Sequence, residues 1–318
     1  MARAESGLAT KAGAQRARSR AGGRALAWSA AAFALALAAY VADVATHPIR
    51  LTLGWFDLNI YNHAGLIVRH APDTLYTWHF LPGVQYLYTP FAALGFAAGS
   101  LLPWSVLRWL MTAASLAAVP GTPWFTLGAL GWRGRARAAA LLWLTAVALW
   151  LEPVQRALHL GQIELVLMVL IVWDLGQGDD RRWKGAGIGL AAGIKLVPLI
   201  FIPYLLLAGK RRQAAVATAV FAGTVVIGFA ALPHASVQWW LTGYFLHSGH
   251  VGDVGSLLNQ SLFGLVTRAV GGVRPATGVW LGLAAVIPAD RRDQQPGQRA
   301  GQPARYRAAA AVQRRGGG

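Results

Sequence analysis

Residues 25–42 pass without one charged side chain. That run is about as long as an α-helix needs to cross a hydrocarbon layer roughly 30 Å thick. Comparable apolar blocks recur to the end of the second third of the chain. A secretory signal is short and occurs once, so the pattern excludes a signal followed by a soluble domain. Only 13% of the 318 residues are charged and 55% are hydrophobic, where a soluble domain carries about twice that charged share. The expected architecture is therefore all-α: an integral membrane bundle with several spans.

The formal net charge is +17, a value that by itself suggests nucleic acid. The positives sit instead in short clusters between apolar blocks, at 16–24, 133–137, 181–184 and 210–212. No basic stripe alternates with exposed aromatics, as a strand-binding surface requires, so nucleic acid is excluded as a partner. The clusters read as cytoplasmic loops. Cysteine is absent, which rules out a disulfide framework or a thiolate metal site. The 14 tryptophans are mainly interface anchors, with one or two free to stack on sugar rings.

The charge pattern sets the expected path. Residues 1–24 form a basic cytoplasmic tail, and a first helix over 25–44 runs outward. Residues 46–87, with Asp57, His63, His70, Asp73, His79 and Gln85, are too long for a turn and too polar to cross. They form a large first external loop with helices lying at the interface. The short apolar segment 88–102 lies in the interface, so that 104–130 runs inward and delivers Arg133, Arg135 and Arg137 to the cytoplasm. Residues 138–151 return outward, 152–162 make a second outer loop, and 163–175 go back inward. Residues 185–208 have a basic cluster on each side and Lys195 and Pro198 at their centre. That combination predicts a broken helix, in the form of a re-entrant hairpin. A further helix over 214–232, a third outer loop over 233–260 and a last helix over 261–287, interrupted by Gly271, Gly272 and Pro275, complete a membrane domain spanning 25–287. Residues 288–318 are rich in Arg, Gln, Pro, Gly and Ala and read as a disordered basic tail.

All three outer loops carry the ionisable and amide residues to one side of the membrane. Asp57, set between aromatic and aliphatic neighbours, loses solvation and becomes a better proton acceptor; alternatively it caps an interfacial helix. Lys195 either meets an anion such as a phosphate or snorkels to an interface. Arg156, His159 and Gln162 in the second loop can bind phosphate or sugar hydroxyls. His234, His247 and His250 could suggest a metal, but of the carboxylates and histidines near them only Asp253 falls at convincing ligand spacing, so no metal is expected.

The order of these pieces resembles glycosyltransferase family 87, the polyprenol-phosphate-mannose-dependent α-1,2-mannosyltransferases. The segments that carry the resemblance are DLNIYNHAG at 57–65, LYTPFAALGF at 87–96, LHLGQIELVLMVLIVWDL at 158–175, GIGLAAGIKLVPLIFIPYLLL at 187–207 and LLNQSLFGLVTR at 257–268. The resemblance implies the C-type glycosyltransferase membrane fold in the plasma membrane, with an extracytoplasmic active site. It implies an inverting transfer from a polyprenyl-phosphate sugar to a lipid- or glycan-linked acceptor, without nucleotide, cofactor or metal. Asp57 matches the family's proposed base. Lys195, Arg156 and Arg268 are then candidates for stabilising the leaving phosphate. Tyr61, His159, Gln162, Asn259 and Gln260 would contact donor or acceptor. Thr89 and Glu164 depart from the family pattern, where a proline and an asparagine are common. The segment after Ile287 resembles a truncated or frame-shifted end. The alternatives are a transferase of arabinose or glucose with the same fold, or a non-enzymatic transporter or inactive membrane protein.

Overall fold

The computed structural model describes residues 2–46, 54–81, 84–246, 254–257, 259, 261–273 and 276–282. The chain divides into two units, Met1–His247 and Ser248–Gly318.

In the first unit, α1 (Ala2–Thr46) runs without a break, so helical backbone extends through the basic stretch 1–24 from Ala2 onward. The segment after it holds α2 (Phe56–His70) and an antiparallel ribbon, β1 (His79–Leu81) against β2 (Val84–Gln85), with His79 opposite Gln85. The ribbon is a small departure from the all-helical expectation. There follow α3 (Pro90–Gly99), α4 (Trp104–Ala129), α5 (Gly134–Leu149), α6 (Glu152–Leu160) and α7 (Glu164–Leu175). Next come α8 (Ala186–Ile194), a 3-10 turn at Val197–Ile200, α9 (Phe201–Leu207) and α10 (Arg211–Ala231). Among the described residues, Gly22–Asp43 and Arg211–Ala231 are each long and apolar enough to cross a membrane. The bent pairs α3–α4 and α5–α6, at 120° and 70°, bring the number to up to 4 if each pair is one span. Large apolar side chains such as Leu35, Trp109, Leu207 and Val226 face outward, as they do where lipid replaces water.

Short-range signals explain the breaks. Thr89 caps α3 by accepting from the Ala92 N–H at 3.1 Å, and Pro90 occupies the first helical position, where its missing N–H is harmless. The sharp bend then turns α3 back against α2. At Gly65 on α2, an added Cβ would collide with the Phe96 carbonyl, so this helix pair can approach closely only with glycine there. The core around them joins Ile60, Leu75, Tyr76 and Tyr86 to Leu232, Ala235, Trp239 and Tyr244 from beyond α10.

The first unit has two chemically distinct ends. At one, Asp179 accepts from Lys184 at 3.0 Å and pairs with Lys210, while Arg212 donates to the Asp179 and Arg181 carbonyls. These lysine contacts hold the Asp179 carboxyl down to about 2. Because Lys184 precedes residues 185–208 and Lys210 follows them, the segment's two ends lie together, which is the geometry of a hairpin. Its tip is the break at Lys195, where the backbone turns extended. Gly176 and Ala129 also meet at this basic end, next to Arg133. At the other end α10 delivers Leu232 to the aromatic core beneath α2.

Asp174, fully buried near the end of α7, accepts from the Gly185 N–H at 2.9 Å and the Ile188 N–H at 3.0 Å. It thus supplies the acceptor that the first turn of α8 needs.

In the second unit, Ser261 caps α11 (Leu262–Val270) by accepting from the Gly264 N–H at 3.0 Å. The interruption expected within 261–287 falls at Gly271, which takes a left-handed conformation, φ 76°, and ends the helix. Helical backbone resumes over 276–282. The expected tail at 288–318, and residues 283–287, lie outside the described residues.

Replacing the Asp174 carboxylate tests this assembly. D174A leaves buried N–H groups without an acceptor and should destabilise the protein by about 1–3 kcal/mol. The expected readout is a lowered thermal midpoint in detergent; an unchanged midpoint contradicts the assigned role.

Candidate active site

The loop entering α2 is strained at one residue. Trp55 has φ 62°, a region that bulky side chains rarely adopt. Contacts on every side fix it there. Its backbone N–H donates to the His159 carbonyl at 2.6 Å, its indole N–H donates to Thr112 at 3.1 Å, and Gly161 packs against its ring. Gly161 itself sits at φ 69°, where an added Cβ would lie 2.8 Å from Leu58, so the turn between α6 and α7 admits α2 only because it lacks a side chain.

Asp57 follows in the first turn of α2. Trp55 holds the capping position and makes no side-chain cap bond, and the Asp57 carboxylate accepts from the Gln162 amide. Burial raises its carboxyl above the ordinary carboxylate value, opposed by the Gln162 hydrogen bond; the charge of Glu164 adds to the rise and that of Lys195 opposes it. Asp57 therefore belongs to a cluster built from α2, the turn before α7, and the hairpin tip.

Glu164, the first residue of α7, pairs with Lys195, and both side chains are about one-third exposed. Tyr88 donates to Glu164 at 3.3 Å, and the Lys195 ammonium lies 3.5 Å from the Tyr88 hydroxyl and 5.1 Å from its ring centroid. The Tyr61 and Tyr88 hydroxyls are 2.5 Å apart. Burial holds both phenols well above their usual value, so they stay neutral and hydrogen-bonding. The second Glu164 oxygen is buried without a partner. Glu164 and Tyr88 were missed as site residues in the sequence. The signal for Glu164 was present, since a carboxylate at the head of an apolar helix needs a partner as much as Lys195 does.

Other candidates are placed differently. Tyr61 is buried, stacked on Phe96 with ring centroids 4.5 Å apart, and reaches the charged cluster through Tyr88. The His159 ring is bonded to the Gln155 carbonyl at 2.7 Å, and its other nitrogen is buried without a partner. Arg156 pairs with Glu152 one turn back on α6, at 2.6 Å. In the second unit Arg268 donates to the Ser256 and Asn259 carbonyls, each at 2.8 Å, and the Asn259 amide donates to Val254 at 3.0 Å. Gln260, His247, His250 and Asp253 lie outside the described residues.

A cavity of about 470 Å³ adjoins the charged cluster. Glu164 and Lys195 form part of its lining; Leu167, Ile171, Leu175 and Phe201 are among the apolar side chains that line the rest. The arrangement offers a proton acceptor, a cation with a counter-ion, and an apolar space beside them.

The profile described as glycosyltransferase family 87 matches residues 86–300. A polyprenol-phosphate-mannose-dependent α-(1-2)-phosphatidylinositol pentamannoside mannosyltransferase of Mycolicibacterium smegmatis is 31% identical over 243 residues, 73% of this chain and 57% of that protein. A protein of the same description from Mycobacterium tuberculosis (strain CDC 1551 / Oshkosh) is 30% identical over 224 residues, 68% of this chain and 50% of that protein. A phosphatidylinositol mannoside mannosyltransferase of M. tuberculosis strain H37Rv is 29% identical over 245 residues, 74% and 57% of the two chains. The chain spans about half the length of the curated relatives it matches. No solved structure matches it.

The opposing influences on Asp57 can be separated by titrating its carboxyl in infrared difference spectra against D57N. E164Q removes a raising charge and should move the titration to lower pH. Q162L removes a lowering hydrogen bond and should move it to higher pH. Shifts in the opposite directions contradict the assigned contacts.

Proposed function

The chain belongs to glycosyltransferase family 87, and from that premise we propose that it transfers mannose from polyprenyl-phosphate mannose to a lipid- or glycan-linked acceptor, with Asp57 as general base. The observation that carries this reading is the desolvated Asp57 carboxylate beside the Glu164–Lys195 pair. In the reaction, the acceptor hydroxyl gives its proton to Asp57 as its oxygen bonds to the mannose anomeric carbon. The bond from that carbon to the phosphate oxygen breaks, and polyprenyl phosphate leaves with both electrons. Attack opposite the leaving group inverts the anomeric centre. Lys195 exchanges Glu164 for the phosphate and stabilises its growing charge. Gln162 fixes the orientation of Asp57, and Tyr61 fixes Tyr88, which in turn contacts both members of the ion pair.

Two further features support the reading. The apolar cavity with a cation in its lining suits a polyprenyl chain with a phosphate head. The basic clusters around Asp179 lie at the opposite end of α7 and α10 from Asp57, and basic loops stay in the cytoplasm; this separation supports the reading of an extracytoplasmic Asp57. Arg156 on α6 is partly exposed and is proposed to meet acceptor hydroxyls; His159, Asn259, Gln260 and Arg268 are proposed for substrate contacts on the family resemblance.

Transfer assays in membranes with radiolabelled polyprenyl-phosphate mannose test the proposal. D57N keeps the shape of the side chain and its contact with Gln162 but cannot take a proton. It should lower turnover by about 10²–10⁴-fold with unchanged membrane insertion. In the wild type the raised Asp57 carboxyl must be ionised to act, so kcat/KM falls as pH drops through a value above 3.8, the ordinary carboxylate value. Near-normal turnover by D57N refutes the base. Transfer only from arabinosyl or glucosyl donors refutes the mannose assignment.

A further inference from the structure

Arg108 lies early in α4, on the helix face that holds the loop before Asp57. Its guanidinium carbon is 4.8 Å from the Trp55 ring centroid and 5.8 Å from that of Trp104. One turn on, Thr112 receives the Trp55 indole N–H. Ring contacts satisfy the faces of a guanidinium but leave its N–H donors open. The Nε of Arg108 is shut off from solvent and has no acceptor, and among the described residues no carboxylate pairs with it.

Other arginines differ. Arg137 donates to the Trp124 carbonyl while stacking on its ring, Arg69 reaches the Ser100 carbonyl, and Arg156 has Glu152. Around Arg108 most outward side chains are apolar: Leu101, Val106, Trp109 and Leu110 are all exposed, beside the polar Ser105. A guanidinium with open donors in a lipid-facing surface is unfavourable unless an anion joins it. Its planar fork matches a phosphate better than a point cation does, and the neighbouring apolar side chains suit the chains of a lipid.

We propose that Arg108, framed by Trp55 and Trp104, binds the phosphodiester of a lipid substrate next to Asp57. This would be a second phosphate site, distinct from the one at Lys195. It rests on the transfer reading for the identity of the lipid: the phosphodiester belongs either to a phospholipid-anchored acceptor or to the donor. Trp55 would then link the site to the base, since the residue under the guanidinium is two positions before Asp57.

The experiment compares wild type with R108Q, R108K and, as a control for charge, R182Q, which alters an arginine stacked on Trp183 in the loop between α7 and α8. The first arm needs no turnover. Detergent-purified protein is incubated with an equimolar mixture of phosphatidylinositol, polyprenyl-phosphate mannose and the phosphate-free lipid diacylglycerol, and retained lipid is counted by native mass spectrometry. R108Q should lose phosphatidylinositol or polyprenyl-phosphate mannose by about tenfold or more relative to diacylglycerol; R108K should lose less, and R182Q should match wild type.

The second arm measures KM for polyprenyl-phosphate mannose with octyl mannoside, an acceptor without phosphate, and then KM for a phosphatidylinositol mannoside. A rise of about tenfold to a hundredfold confined to the phospholipid acceptor assigns the site to the acceptor; a rise for the donor assigns it to the donor. Unchanged lipid retention in folded R108Q or R108K overturns the proposal. Absence of transfer by wild type would count against the proposed function, while the retention arm would still decide the fate of Arg108.

Discussion

The pairing of Glu164 with Lys195 sets the terms for the rest of the first unit. Neither charge is tolerable alone on an apolar helix, and each makes the other admissible. The pair requires the break between α8 and α9, because a continuous helix could not turn its backbone extended at Lys195. The break in turn frees a carbonyl, and the Gly193 carbonyl is taken by the Thr89 hydroxyl, the same side chain that caps α3. One charge pair therefore fixes the hairpin tip, the start of α3 and, through Tyr88 and Tyr61, the face of α2 that carries Asp57.

The second organising feature is the separation of the two ends. α7 begins at Glu164 and ends near Asp174, so a single helix joins the charged cluster to the cap of the hairpin. α10 begins at the Lys210 contact with Asp179 and ends under the aromatic core at Leu232 and Tyr244. α4 starts beside Trp55 and finishes against Gly176. Each helix thus runs between the same pair of environments, one basic and one aromatic. A carboxylate placed at the aromatic end stays far from the lysine and arginine clusters, and its neighbours are set by a few chosen contacts.

Much of the scaffold was legible in the residues. The apolar blocks and the basic clusters located α4, α7 and α10 closely, and Lys195 with Pro198 marked the broken segment correctly. Asp57 and Gln162 were both legible as site candidates, but their hydrogen bond was not, because residues 105 apart in sequence meet only through the Gly161 turn. Glu164 was read as a departure from a pattern instead of as the counter-ion of Lys195. The helical content of residues 152–160 was also missed: Glu152, Gln155, Arg156 and His159 are polar enough to read as loop, yet they share one stripe of an amphipathic helix whose Val154, Ala157 and Leu158 are buried. The strain at Trp55 left no trace in composition. Backbone conformation at a non-glycine residue follows from tertiary contacts, here Thr112, His159 and Arg108.

The most direct test of the central claim, that the proton acceptor and the basic loops face opposite sides of the membrane, exploits the absence of cysteine in the chain. Thr77→Cys places a single thiol on the exposed surface next to the aromatic core beneath α2, and Asp180→Cys places one beside Asp179 at the basic end. With a membrane-impermeant maleimide on intact cells, the thiol at position 77 should label at once and that at position 180 only after permeabilisation. The reverse pattern, or labelling of both in intact cells, would contradict the account.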